Sequence, residues 1–376
     1  MQSVPLAEAG AVLTVDLDAL AANWRLLAER VRPAQCAAVV KADAYGIGIE
    51  RAVPALARAG CRVFFTAHFS EGRRVSQALG AHIRDSEVYV LNGLMSAPGG
   101  VTDFVRAGLR PVLASAHDLG LWRRTAPVGA LAPGLQIDTG MNRLGLSPEE
   151  AGMLFRNRDE ALPLGLVMSH FIASEEPGNA LNAAQAASFA ACLPLHPGVP
   201  ASLANSSGIF LKEQPYFDIA RPGYALYGGN PTPGAPNPMR PVITLTARIL
   251  QLHRVPAGGT VGYNSQWTAL RNTQLATIGI GYADGFPRLA GSTDARREGA
   301  EVMLAKKRCR IIGRVSMDLM VVDVTEAPGS VTQPGAAVEV LNSDITIDDL
   351  ASYVGNSGYT VLTGLGARYH RVYVGG

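Results

Sequence analysis

Short apolar runs alternate with longer amphipathic stretches through most of the chain. Residues 12–15 read as a strand, and Asp16 or Asp18 is placed to cap a helix carrying Leu26 and Leu27. Further strand-like runs fall at 36–41, 63–66, 88–91, 110–114, 135–138, 165–170, 202–205 and 218–221. Ala- and Leu-rich segments of helical period, such as 185–193, lie between most of them. Eight strands at this spacing predict a closed eight-stranded TIM-type α/β barrel, a fold of roughly 250 residues. An open doubly wound sheet is the competing arrangement, but no Gly-x-Gly-x-x-Gly follows the first strand.

From Pro241 the period shortens. Alternating segments at 242–252, 275–280, 309–312, 319–324 and 337–341 are separated by turns such as Asp284-Gly285 and Pro334-Gly335. One helix is expected at 347–354. The prediction is an α/β barrel over 1–240 followed by a mostly β C-terminal domain over 241–376, joined by the Pro/Gly-rich stretch 228–241. Residues 1–15 are available to pair with the β domain.

Composition narrows the partners. The chain has 376 residues, 48% of them hydrophobic, enough for two cores. Lys and Arg total 33 against 31 Asp and Glu, with no basic run or aromatic-interleaved patch, so nucleic-acid and anionic-membrane binding are not expected. The first basic residue is Arg25 and no apolar run reaches membrane length, so neither a signal peptide nor a membrane span is expected. Cys36, Cys61, Cys192 and Cys309 lack paired spacing, which argues against zinc or a disulfide framework and for a reducing, cytoplasmic compartment.

In a barrel, chemistry gathers at the C-terminal ends of the strands. Those ends carry Lys41, Arg143, His170, Asn205-Ser206 and Arg221-Pro222-Gly223. Lys41 follows Ala37-Ala38-Val39-Val40, and a partly desolvated amine there loses proton affinity, as Schiff-base or proton-transfer chemistry requires. Each residue also has a plain reading. Lys41 can snorkel to water, Arg143 be a surface charge, His170 a hydrogen-bonded core histidine, Asn205 a turn residue and Gly223 a tight corner.

The stretch Lys41-Ala42-Asp43-Ala44-Tyr45-Gly46 resembles the cofactor-lysine motif of the alanine racemases, pyridoxal-phosphate enzymes built on a barrel. Further motifs occur in that family's order along essentially the whole chain. They are Asp138-Thr139-Gly140-Met141-Asn142-Arg143-Leu144-Gly145, Ser169-His170-Phe171, Asn205-Ser206, Arg221-Pro222-Gly223-Tyr224-Ala225-Leu226-Tyr227-Gly228, Val261-Gly262-Tyr263, Gly281-Tyr282-Ala283-Asp284-Gly285 and Ser316-Met317-Asp318.

The resemblance implies specific roles. Lys41 would carry pyridoxal 5'-phosphate covalently and, once released by substrate, act as one base. Tyr263 would be the other base, on the opposite face of the α-carbon; on its own it reads equally as a hairpin tyrosine. A phenol used as a base needs donors or cations nearby. Arg221 would donate to the pyridine nitrogen and His170 would lie against the ring. Tyr45, Asn205-Ser206, Gly223, Tyr224 and Tyr359 would surround the phosphate, where hydrogen bonds to the anion are charge-assisted. Arg143 would serve cofactor and substrate carboxylate; Met317, Asp318 and, at the mouth, Tyr282 would face substrate. Tyr263, Met317 and Asp318 would reach a second subunit's barrel, giving a homodimer with shared sites.

Two positions depart from the pattern. Ile47 stands where the family usually has histidine, and Gln136 where it commonly has a lysine, often carbamylated, that steadies the arginine. An uncharged amide implies that Arg143 is held by Gln136 or by an anion such as chloride. The implied function is interconversion of L- and D-alanine by a two-base mechanism, supplying D-alanine for peptidoglycan. The alternatives are a racemase for serine or a broader set of small amino acids, a non-catalytic pyridoxal-phosphate-binding protein, which would lack the β domain and Tyr263, and a related decarboxylase, which would place glutamate where Arg221 stands.

Overall fold

The computed structural model describes residues 4–155, 162–195 and 197–376, so the first three residues of the segment 1–15 lie outside it. The chain divides into two compact units, Leu20–Arg240 and Met1–Ala19 with Pro241–Gly376.

The first unit is the expected barrel. Seven parallel strands follow one another in order: Ala38–Val39, Val63–Thr66, Glu87–Val90, Arg110–Leu113, Gly134–Gln136, Leu166–Met168 and Ala201–Ser202. Ile219–Ala220 closes the ring. It pairs in parallel with Gln35–Cys36, just before the first strand, while the amides of Asp218 and Arg221 donate to the Ala201 and Ala204 carbonyls at 2.9 and 2.8 Å. Helices connect the strands, among them Ile49–Ala59, Phe69–Leu79, Ala116–Thr125 and Ala180–Cys192. Strands covered on both faces need continuous apolar runs rather than alternation. Val63–Thr66 and Leu166–Met168 are accordingly buried at every position. Phe64, Phe65 and Tyr89 are fully buried, with Phe65 and Tyr89 stacked at 5.2 Å between centroids.

The second unit is a closed antiparallel barrel. Ile243–Val255 spans 13 residues and pairs with Ala337–Leu341 through one part and Thr273–Ile278 through the other. Met320–Asp323, Lys307–Ile312 and Glu301–Leu304 complete the circuit. Ala11–Asp16 adds to the edge of Ile243–Val255, and His370–Val374 lies parallel to it. Alternating burial along Ala11–Asp16 marks the one face turned to the core. Of the two aspartates offered as a helix cap, Asp16 performs it, its Oδ1 accepting from the Ala19 amide at 2.8 Å ahead of Leu17–Arg30.

Candidate active site

The barrel strands end in polar residues at one rim. Lys41 follows Ala38–Val39, His170 follows Leu166–Met168, Asn205 and Ser206 follow Ala201–Ser202, and Arg221 follows Ile219–Ala220. Burial lowers the Lys41 amine below its ordinary value, helped by the positive charges of Arg143 and Arg221, while Glu71 acts the other way. His170 falls to about 3, chiefly through burial and then through Arg221, Lys41 and Arg143, so its ring is neutral. Lys41 and His170 therefore lie within electrostatic reach of each other and of Arg143 and Arg221.

Arg221 is the anchor of the rim. Burial lowers its guanidinium to about 9, so it stays charged at neutral pH. Its Nη2 donates to the Ser169 carbonyl at 2.6 Å and its Nη1 to the Ser202 hydroxyl. Neighbouring loops are tied together by Gln185, whose Nε2 donates to the His170 carbonyl at 3.0 Å and the Thr139 hydroxyl at 3.1 Å. Thr139 in turn bonds the Ser169 hydroxyl at 2.8 Å.

A second group lies beside it. The Ser206 hydroxyl accepts from the amides of Gly223 and Ala225 at 3.0 and 3.2 Å. The Tyr45 hydroxyl occupies the space a β-carbon at Gly223 would need, and the Tyr45 ring stacks on Tyr227 at 4.6 Å. Tyr227 is fixed from below, donating to the Val39 carbonyl at 2.9 Å. Tyr224 follows Gly223 directly, and the Asn205 Oδ1 holds its own loop by accepting from Ser174 and the Gly208 amide.

The route from Lys41 to Tyr45 is unusual. Ala42, Asp43, Ala44 and Tyr45 have φ of 52, 56, 53 and 51°, a left-handed turn without glycine until Gly46. Such a conformation costs about 1–2 kcal/mol per residue, so surrounding contacts must hold it. Glu71 and the Asp43–Arg74–Glu50 cluster do so, at distances of 2.5 to 2.9 Å. Glu71 belongs to none of the family motifs, although a glutamate three residues beyond the cap position His68 of the helix Phe69–Leu79 is a capping-box signal.

Arg143 sits in an exposed loop organised by Asp138, whose carboxylate accepts from the amides of Gly140, Met141 and Arg143. Gln136 turns its amide nitrogen to the Leu144 carbonyl at 2.8 Å. Among the described residues, no hydrogen bond or ion pair links it to the Arg143 guanidinium.

The other candidates belong to the β unit. Tyr263 stands at the turn of a hairpin, 65% exposed, flanked by Gly262, Asn264 and Ser265 at φ of 80, 59 and 49°. The hairpin is anchored by Trp267, packed with Ala269, Leu275 and Ile312. Tyr282 and Met317 lie on adjoining segments, with the amides of Tyr282 and Ala283 donating to the Ser316 and Met317 carbonyls at 3.0 and 2.9 Å. Arg368, absent from the sequence reading, bridges Asp284 and Asp318 at 2.8 and 2.7 Å. Tyr359 is half-buried on the short helix Gly358–Thr363.

The barrel rim suits a flat aromatic cofactor bearing an anion. A buried, charged guanidinium can donate to a ring nitrogen. The hydroxyls of Tyr45 and of Ser206, the latter held by the Gly223 and Ala225 amides, offer neutral donors to a phosphate, and a desolvated amine stands within electrostatic reach of the guanidinium.

Comparison with known proteins gives the same picture. A family model described as "Alanine racemase, N-terminal domain" matches residues 15–231, and one described as "Alanine racemase, C-terminal domain" matches residues 242–373. The chain is similar to the alanine racemase of Methylobacterium sp. (strain 4-46), with 49% identity over 97% of this chain and 98% of that protein. The crystal structure of alanine racemase from Bartonella henselae, with covalently bound pyridoxal phosphate, superposes with a TM-score of 0.86 at 34% identity, covering 97% of this chain and 100% of that one. The biosynthetic alanine racemase from Pseudomonas aeruginosa gives a TM-score of 0.89 at 30% identity, covering 98% and 100%.

Proposed function

We propose that this chain, which belongs to the alanine racemase family, works by two proton-transfer groups on opposite faces of the substrate α-carbon. Its activity is that of a pyridoxal-phosphate-dependent isomerase interconverting L- and D-alanine. When bound, the cofactor withdraws the electron pair left at the α-carbon and so acidifies the α-proton.

Each residue then has a task in this reading. Lys41 anchors the cofactor and, once free, takes or returns the proton on one face. Its reduced basicity, caused by burial and the nearby guanidinium groups, supports that role because a fully protonated amine is no base. Arg221 donates to the ring nitrogen. A guanidinium does not surrender its proton near neutral pH, so Arg221 would hold a ring nitrogen as a hydrogen-bond donor without protonating it. Neutral His170 packs against the ring. Tyr45, Asn205-Ser206, the backbone of Gly223 and Tyr224, and Tyr359 hold the phosphate. Arg143 binds the substrate carboxylate.

Tyr263 serves the opposite face. Its exposure on an anchored hairpin supports delivery to the barrel of a second copy, together with Met317 and Asp318, with Tyr282 at the entrance. The reading therefore includes a homodimer with shared sites. It extends to a cytoplasmic enzyme whose D-alanine supplies peptidoglycan; four buried, unpaired cysteines suit a reducing compartment.

The observation that carries the proposal is the gathering of Lys41, His170 and Arg221 at one barrel rim. Incubation of purified protein with L-alanine in deuterated water tests it. Formation of D-alanine with deuterium at the α-carbon is expected, whereas cofactor binding without exchange would mark a carrier instead.

A further inference from the structure

Glu71 has no part in the roles above, yet it touches the backbone next to Lys41. Its Oε1 accepts from the Ala42 amide at 2.6 Å, and its Oε2 from the Ala67 and His68 amides at 2.9 and 3.1 Å. One carboxylate thus joins the N-terminus of the helix Phe69–Leu79 to the first residue of the left-handed turn. The turn has a second brace farther along. Asp43 accepts from the Ile49 amide at 3.1 Å and pairs with Arg74 at 2.5 Å, which Glu50 holds at 2.7 Å.

We propose that Glu71 is a positioning residue for the Lys41 amine, fixing the Ala42 amide so that the turn presents that amine and opposing the cations around it with a negative charge. The inference rests on the role given to Lys41. The charges of Arg143 and Arg221, carried by barrel loops that also hold neutral His170, act on the amine in one direction, and that of Glu71, on the helix, acts in the other. Without the carboxylate the two guanidinium groups act unopposed, and the amine releases its proton at lower pH. Glutamine is a poor substitute, because one acceptor oxygen and one NH2 group cannot serve three backbone donors.

The test compares Glu71→Gln with Arg74→Met in the holoenzyme. Arg74 braces the same turn through Asp43 and makes no bond at Ala42, so it reports a purely structural effect. For Glu71→Gln the expected results are faster hydrogen exchange in a peptide spanning residues 41–48, a kcat about 10- to 100-fold lower with KM little changed, and a lower-pH position for the Lys41-dependent limbs of kcat/KM and of cofactor absorbance. Arg74→Met is expected to lower Tm and leave both limbs in place. If Glu71→Gln does not fold, Glu71→Asp carries the test, with faster exchange but unmoved limbs because the charge is retained. A Glu71→Gln enzyme that loses only thermal stability, or limbs that move equally in Arg74→Met, would overturn the inference. Borohydride trapping on Lys41→Ala separates the two readings: continued covalent capture of the cofactor removes the role of Lys41 and the inference with it. Loss of capture beside a native-like Glu71→Gln sinks the inference alone.

Discussion

The Tyr45 hydroxyl stands where the β-carbon of any residue larger than glycine at position 223 would have to go. The backbone at 223 is not in the left-handed region, so the glycine serves close approach rather than an unusual dihedral. Gly223→Ala must displace Tyr45 or the loop whose amide bonds Ser206. Cofactor affinity is expected to fall about 10-fold or more, the equivalent of one lost hydrogen bond at roughly 1–1.5 kcal/mol. Titration of the apoprotein followed by absorbance checks this, and native affinity in the variant would remove Gly223 from the phosphate site proposed above.

Tyr263→Phe removes one oxygen from an exposed ring and should leave folding intact. Turnover is expected to fall by about 10²–10⁴-fold, the usual worth of a general acid–base group, with the cofactor still bound. Near-full activity would mean that another group serves the second face.

The neutral state of His170 sets a pH dependence. Its folded value of about 3 lies below its ordinary 6.5, so between those values the unfolded chain binds more protons and stability falls as pH drops. One such group contributes up to about 1.4 kcal/mol per pH unit across that window. Tm measured from pH 7 to pH 4 should therefore decline more steeply for the parent protein than for His170→Asn. Parallel curves would show that the ring is protonated in the folded state.

Gln136 offers no amine for carbon dioxide to modify, and its amide nitrogen is engaged by the Leu144 carbonyl. Racemisation rates are expected to be the same in degassed and bicarbonate-supplemented buffer. Strong activation by bicarbonate would require a carbamate elsewhere near Arg143.

Arg368 joins Asp284 to Asp318 across segments distant in sequence. Replacing it with methionine releases Asp284, a buried carboxylate. A Tm lower by several degrees is expected, from a loss of about 1–3 kcal/mol, measurable by thermal unfolding with the Asp318→Asn variant as comparison. An unchanged Tm would show that the bridge is dispensable.

Much of this protein can be read from local pattern. Buried parallel strands need unbroken apolar runs, and all eight barrel strands fall within or beside the expected segments. Lys41, His170, Ser206 and Arg221 stand out because they end such runs. The pattern gave less warning of Glu301–Leu304, since its hairpin to Lys307–Ile312 turns through Ala305 and Lys306 at φ of 48 and 66° without the Asn or Gly that normally announces such a turn. His370–Val374 gains its partner only when the two ends of the chain meet.

The path after Lys41 shows where local reasoning stops. Alanine favours a right-handed helix, yet Ala42 and Ala44 are left-handed because Glu71 and Arg74, about 30 positions away, hold the turn. Residue types disclosed the chemistry available, since an amine, a guanidinium and hydroxyls keep their character anywhere. Where the amine points and how readily it gives up its proton depend on burial and on charges from distant segments, and those exist only once the chain has closed on itself.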